Sequence, residues 1–315
     1  VDEGKVSARP EAELAPQQRS VAESVLGPYQ LVRLIGRGEV AYVYQAVDTR
    51  TGGTVALKVL YFNEGESKAS IADKTGRFRR EAELASKLDH PNLVRVGPLE
   101  QSGPWYHIAM SYVDGPNLVQ VLATEDPAAR PEPRALQQAL CDVARALHYA
   151  HCRGVIHRDV TPRNILFSTS GQAFLGDFGV AKQVEGGLRL SGTEGVVGAR
   201  EFAAPERFES EVNASPKSDV YSLGVVLHLI VTGQMPGSQR PSTINPEVSS
   251  AMEALIRAAT QKDPGRRLAT AALFADRLER LCSEAPETEA PPSLLRRSAR
   301  LAFAFAGGCA LAVAL

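Results

Sequence analysis

Residues 157–179 read HRDVTPRNILFSTSGQAFLGDFG, which sets Asp159, then Asn164 five residues on, then Asp177 ahead of Phe178 and Gly179. Two carboxylates and one amide oxygen in so short a segment suit phosphoryl transfer. One carboxylate can meet a hydroxyl nucleophile, while the amide oxygen and the other carboxylate hold Mg²⁺ on a nucleoside triphosphate. On this reading Asp159 accepts or orients the hydroxyl proton, and Asn164 and Asp177 are the metal ligands. HRD alone is a weak signal, whereas HRDxxxxN followed by DFG is a specific one.

Such a segment needs elements that present phosphates to it. Regular structure is expected from Tyr29, with Leu31, Val32, Leu34 and Ile35 reading as a strand. Gly36, Arg37, Gly38, Glu39, Val40, Ala41, Tyr42 and Val43 follow. Two glycines one residue apart let a tight hairpin lie over phosphates without Cβ clashes. A dinucleotide-binding loop would lead into a helix. Here a second strand is expected over 43–47, then a turn and a third strand over 54–60 carrying Ala56 and Lys58. Residues 78–88 have helical spacing, with Phe78, Ala82, Ala85 and Leu88 on one face and Glu81 and Glu83 as acidic candidates. His90-Pro91-Asn92 stops that helix. Two more strands are expected around 93–98 and 105–111.

The second half reads as helical. Residues 133–151 form an amphipathic stretch with Leu136, Leu140, Val143, Ala144 and Leu147 as its buried stripe, and Gly154 ends it. Residues 219–231 are apolar nearly all round but too short to span a membrane, so a buried helix is expected. Phe274, Leu278 and Leu281 mark the buried stripe of a last helix.

In this order the motifs resemble the catalytic domain of eukaryotic-type protein kinases. FRREA ahead of DHPNLV resembles the corresponding segment of bacterial Ser/Thr kinases. The resemblance covers residues 29–282 and implies an α+β bilobal fold. It has a small antiparallel β-rich lobe with one helix (29–113) and a larger, mainly helical lobe (114–282). It implies ATP and Mg²⁺ in the cleft and protein Ser or Thr hydroxyls as acceptors. Residues Ile35 to Val43 would then cover the phosphates, Lys58 in Val-Ala-Leu-Lys would reach the α and β phosphates, and Glu81 would pair with Lys58. Met110 would stand behind the adenine, with Ser111, Tyr112 and Val113 as the hinge. Asp114 would reach the ribose, and Val43, Ala56 and Leu166 would sandwich the base. His157 would pack under Phe178. Asp219 would brace the HRD backbone, and Arg267 in DPGRR would pair with Glu206 of Ala-Pro-Glu. Arg158 would receive an activation-loop phosphate, with Ser191 and Thr193 as the sites and a second copy of the chain as the partner for trans-autophosphorylation.

Two positions depart from the family pattern. Thr161 stands where a lysine would reach the γ-phosphate, and Ala199 stands where a threonine would tie the loop to the catalytic Asp and Lys. Arg163, four residues after Asp159, can replace the missing charge, since a guanidinium suits phosphate. The paired loss gives an ATP-binding pseudokinase scaffold as the alternative reading, and a small-molecule kinase as a more distant one. Intact Lys58, Asp159, Asn164 and Asp177 favour the protein kinase.

A net charge of −1 gives no field for nucleic acid or an acidic membrane surface. Cys141, Cys152, Cys282 and Cys309 are scattered, so reduced thiols in a cytosolic compartment are expected, with no zinc spacing. Residues 1–28 read as a disordered leader and 283–300 as a juxtamembrane linker. Residues 301–315 are uncharged and follow Arg296, Arg297 and Arg300. They read as the start of a transmembrane helix, with the preceding arginines placing the kinase on the cytoplasmic side.

Overall fold

The structure is a computed structural model and describes residues 25–38, 40–62, 65–124, 131–178, 199–209 and 214–284. These fall into two compact units. The first runs up to Arg79 and takes in Val96–Tyr112; the second comprises Arg80–Arg95 and the chain from Val113 onward.

The first unit is built on an antiparallel sheet of β1 (Val25–Leu26), β2 (Tyr29–Arg37), β3 (Ala41–Asp48), β4 (Thr54–Leu60), β5 (Val96–Ser102) and β6 (Trp105–Ser111), in the order β1-β2-β3-β4-β6-β5. Alternation along the strands sorts the side chains onto two faces. Leu26, Tyr29, Leu31, Tyr44, Ala46, Leu57 and Val59 form the core on one face. The intervening residues Val43, Ala56, Lys58 and Met110 fall on the other. Val43 is opposite Lys58, Lys58 opposite Ile108, and Ala56 opposite Met110. Four residues expected to serve the nucleotide thus share one face.

Three boundaries differ from expectation. Residues 25 and 26, placed by sequence in the leader, pair with β2, and Leu26 is buried in the core. Two residues are too few to leave a periodic signature. The helix expected over 78–88 is α1 (Lys68–Ala85), which begins ten residues earlier. Its first half, KASIADKTGR, has no continuous apolar stripe that would announce it. Phe78, Ala82 and Ala85 are buried in it as expected, while Leu88 is buried beyond its end. The strand expected from residue 93 starts at Val96; Leu93 instead bridges to Leu175 in the second unit.

The second unit holds α2 (Leu118–Leu122), α3 (Pro133–His151), the hairpin β7 (Ile165–Phe167) and β8 (Ala173–Leu175), α4 (Glu206–Glu209), α5 (Pro216–Thr232), α6 (Pro241–Ile244), α7 (Ser250–Ala259) and α8 (Ala271–Glu284). Proline in the first turn of α3 and α5 gives up only a donor that the helix leaves unpaired anyway. The α3 stripe is buried as expected. Gly154, at φ +76°, turns the chain toward the HRD segment in a region a side chain would resist. In α8, Phe274 and Leu278 are fully buried and Leu281 half-buried. Among the described residues no helix is long and apolar enough to cross a membrane. The expected leader up to residue 24 and the residues from 285 on, Cys309 and the 301–315 run included, lie outside the described residues.

Candidate active site

The HRD main chain is held from α5. Asp219, 1% exposed, accepts the His157 N–H at Oδ2 (2.9 Å) and the Arg158 N–H at Oδ1 (2.8 Å). His151, at the end of α3, places its Nε2 2.8 Å from the same Oδ2, a third partner that the sequence reading missed. These bonds fix Arg158 at φ +68°, a left-handed conformation that a non-glycine residue keeps only when its surroundings impose it.

His157 is fully buried, and its ring lies 4.6 Å, centroid to centroid, from Phe178. Nε2 sits 3.0 Å from the Gly176 carbonyl, and Nδ1 is 3.3 Å from the Asp159 N–H. A carbonyl only accepts and an N–H only donates, so the ring is the neutral Nε2–H tautomer with both nitrogens occupied. Burial holds its pKa below the usual histidine range, against the pull of Asp219 and Asp159. It is a packing and orienting group with no nitrogen left for a substrate proton.

Asp159 is buried to 9% exposure. Asn164, in the short 3₁₀ turn Pro162–Asn164, donates from Nδ2 to the Asp159 carbonyl (2.7 Å) and to its Oδ2 (2.9 Å). Since Nδ2 makes both bonds, the amide oxygen Oδ1 is the atom left to face a cation. The Asn164 carbonyl accepts from Gly176 N–H at 2.9 Å, which ties this loop to the residue before Asp177. Asp177 is exposed and, like Arg158, left-handed, at φ +55°. Oxygen donors of this kind, few in number and one of them exposed, fit Mg²⁺, which keeps several waters and takes one or two carboxylates. No cluster of three or more His, Cys, Asp or Glu that can hold a metal occurs among the described residues.

The Arg158 guanidinium carries Nε and Nη1 atoms that are buried without a hydrogen-bond partner among the described residues. Burial and the nearby Arg207 charge both press it below its usual pKa. Arg207, in α4, donates from Nη1 to the Arg158 carbonyl. Beside it, Glu206 and Arg267 form a bidentate pair: Nη1 to Oε1 at 2.7 Å and Nη2 to Oε2 at 3.0 Å. Ser218 adds a hydroxyl to Oε1 at 2.9 Å, and the remaining Arg267 donors go to the carbonyls of Gln261, Lys262 and Lys217.

In the first unit the glycine-rich segment is an extended hairpin. Gly36 and Arg37 still belong to β2, paired with Val43 and Tyr42, and the turn is closed by the Gly38 N–H to the Ala41 carbonyl (2.9 Å). The register slips between Leu34 and Gly36, so Ile35 sits at a bulge and is exposed. Past the turn, the Val40 carbonyl accepts from the Tyr61 N–H, just beyond β4, at 3.0 Å. Tyr42 points to the core face and stacks on Tyr61. The Lys58 ammonium lies 5.9 Å from the Phe78 ring centroid.

Of the two glutamates on α1, Glu81 is 6% exposed and Glu83 exposed, so the residue chosen from sequence is the one whose charge is taken out of water. Asp114, expected at the ribose, is engaged elsewhere: both its oxygens accept from Thr169, Oδ1 from the N–H and Oδ2 from the hydroxyl, each at 2.9 Å. Gly115 follows because a Cβ there would come within 2.3 Å of the Phe167 carbonyl oxygen. This close approach lets Asn117 bridge Leu166, the residue expected under the adenine. Ser111 is exposed and Val113 half-buried. Thr161 is buried and Arg163 exposed. Glu39, Gly179, Ser191, Thr193 and Gly198 lie outside the described residues.

The profile of the protein kinase domain matches residues 29–287. The chain is 33% identical over 267 residues to the serine/threonine-protein kinase PrkC of Bacillus subtilis, covering 80% of this chain and 40% of that protein. It is 33% identical over 290 residues to PknB of Mycobacterium tuberculosis, covering 84% and 44%. It thus spans less than half the length of these relatives. The crystal structure of the Mycobacterium tuberculosis PknI kinase domain is similar at a TM-score of 0.64 and 28% identity, covering 82% of this chain and 97% of that one. An antiparallel sheet with a helix, then a helical second part holding HRD, Asn164 and DFG, is the protein kinase fold, and this chain belongs to the bacterial, eukaryotic-like Ser/Thr protein kinase family.

Proposed function

We propose that this domain transfers the γ-phosphoryl group of ATP to serine or threonine hydroxyls of proteins, with Asp159 as the group that receives the hydroxyl proton. The observation that carries this is the Asn164 amide, which holds the Asp159 carboxylate with its nitrogen and leaves its oxygen for a cation. A protein kinase domain implies ATP and a divalent metal. Asn164 and Asp177 are the residues that would hold the metal, which when bound offsets negative charge on the phosphates. The substrate oxygen forms a bond to the γ-phosphorus as the bond to the β–γ bridging oxygen breaks. The hydroxyl proton passes to an Asp159 oxygen, and ADP leaves with the bridging oxygen. Lys58 and Glu81 are the residues proposed to position phosphates, and Arg163 the one proposed to meet the transferred group.

The test is transfer of radiolabelled phosphate to a generic protein substrate by the wild type and by Asp159→Asn. An amide keeps the shape but cannot take the proton, so the rate should fall about 10²-fold or more. Equal rates would refute the assignment, and no transfer by the wild type would favour an ATP-binding scaffold.

The same reading includes autophosphorylation at Ser191 or Thr193, with Arg158 receiving the phosphate. What supports it is the pair of buried, unpartnered Arg158 nitrogens among the described residues, a ready seat for a dianion. Phosphopeptide mapping of active enzyme should find one or both sites; two unmodified residues would end the idea. A second copy is the proposed donor, so active wild type mixed with Asp159→Asn should label the inactive chain. We further propose a membrane tether beginning near Leu301, supported by Arg296, Arg297 and Arg300 ahead of the uncharged run 301–315. Recovery of the native full-length protein wholly in the soluble fraction of lysed cells would exclude it.

A further inference from the structure

We infer that Arg207 is a positioning residue for Asp159, acting through the carbonyl of Arg158. The peptide between Arg158 and Asp159 orients the Asp159 side chain, and two groups hold it. Its N–H donates to His157 Nδ1, and its C=O accepts from Arg207 Nη1. Asp219 fixes the preceding N–H groups but makes no bond on the carbonyl side. Arg158 stands at φ +68°, where a non-glycine residue stays only if both sides of it are fixed. Arg207 supplies the second side.

Its own placement is rigid. Arg207 follows Glu206, which is locked to Arg267 and Ser218, so α4 is anchored to the same α5 that carries Asp219. Arg207 also brings a second positive charge beside the buried Arg158 guanidinium, which by itself is unfavourable. The carbonyl bond is the compensating contact. Thr161 and Ala199 cannot make a cation-to-hydroxyl tie between the catalytic loop and the segment before Ala-Pro-Glu. Arg207, one residue past Ala-Pro-Glu, makes a tie to the catalytic loop from the other side of that motif.

The inference rests on the reading of Asp159 as proton acceptor, and the experiment separates the two. Steady-state transfer with varied ATP is measured for wild type, Arg207→Met, Arg207→Lys and Asp159→Asn, with a thermal melt of each. Arg207→Met should lower kcat about 10–30-fold and leave KM for ATP within about twofold, because a displaced acceptor costs turnover and not nucleotide affinity. Arg207→Lys should keep at least about a third of wild-type kcat, since the bond uses one N–H that an ammonium can supply. An Arg207→Met kcat equal to wild type, with Asp159→Asn impaired, overturns the inference alone. So does equal impairment of Met and Lys variants, or a melting loss that accounts for the lost turnover. An unimpaired Asp159→Asn overturns the reading of Asp159 and this inference with it.

Discussion

The Asp219 carboxylate and the Arg158 main chain are joined at 2.8 Å, and the same carboxylate takes His157 N–H at 2.9 Å. A side chain from the buried helix α5 therefore sets the backbone of the catalytic segment from 61 positions further along the chain. The arrangement consumes a buried negative charge that three donors make tolerable, His151 being the third.

Asp219→Asn keeps the shape and removes that match. Asparagine offers one acceptor oxygen and turns an NH₂ toward groups that donate. One backbone N–H is left without a partner in a site that excludes water. Chemical denaturation should show a loss of about 2–4 kcal/mol. The transfer rate should fall as well, because Arg158 loses one of the bonds that hold it left-handed. A variant as stable as wild type would show that the HRD backbone is fixed by something else.

The Glu206–Arg267 pair predicts both a double-mutant result and a pH dependence. Breaking it in Arg267→Met leaves a buried carboxylate unpaired and should cost about 3–5 kcal/mol. Glu206→Leu with Arg267→Met should recover much of that, since neither residue is then charged. Burial pushes the Glu206 carboxyl up, but the Arg267 and Ser218 hydrogen bonds and its own backbone N–H outweigh this and hold it below the usual value of 4.5. The unfolded chain therefore takes up this proton first. The pair's contribution is complete above about pH 4.5 and disappears as the pH falls through the lower folded value. Denaturation curves from pH 6 to 3 should show a steeper acid loss in wild type than in the double variant; parallel curves would contradict it.

The sequence made the catalytic segment legible because its chemistry lies within about twenty residues of chain, in a pattern that few other functions need. The α3 stripe and the Glu206–Arg267 partnership were legible for similar reasons of strong periodicity and a paired motif. Other features were not. The β1 pairing rests on two residues, and α1 begins in a stretch without amphipathic spacing. His151 and Arg207 act on main-chain or carboxylate atoms from distant elements, and nothing in the residue types near them marks those contacts. The turning of Asp114 onto Thr169 depends on where the β7–β8 hairpin lies, which spacing along the chain does not specify.

His157 carries a second pH prediction, of stability and not of rate. Burial holds its folded pKa below the usual 6.5, so the unfolded chain binds this proton while the folded chain does not. Its neutral form stabilises the fold fully above about pH 6.5, and that stability declines as pH falls toward the folded value. For one fully buried histidine the slope approaches about 1.4 kcal/mol per pH unit. His107 and His228 are shifted the same way by burial and add to the trend. Urea unfolding at pH 7, 6 and 5.5 should give falling stability. A flat profile over that window would mean that the histidines are protonated equally in both states.

Arg163 carries the last prediction because it answers the departure at Thr161. Thr161 is buried and uncharged, so it cannot reach a phosphate, whereas Arg163 stands exposed in the same 3₁₀ turn, one residue before Asn164. A guanidinium there can meet the transferred phosphoryl group as charge develops on its oxygens. Its exposure makes the contribution smaller than that of a buried donor. Arg163→Ala should therefore lower kcat about tenfold, short of the 10²–10³ typical of a buried donor, with KM for ATP little changed, since the contact strengthens only in the transition state. Arg163→Lys, which keeps the charge but not the planar fork, should fall between the two. A wild-type kcat in Arg163→Ala would show that the γ-phosphate is held without Arg163, and would return the question to Lys58 and the metal ligands.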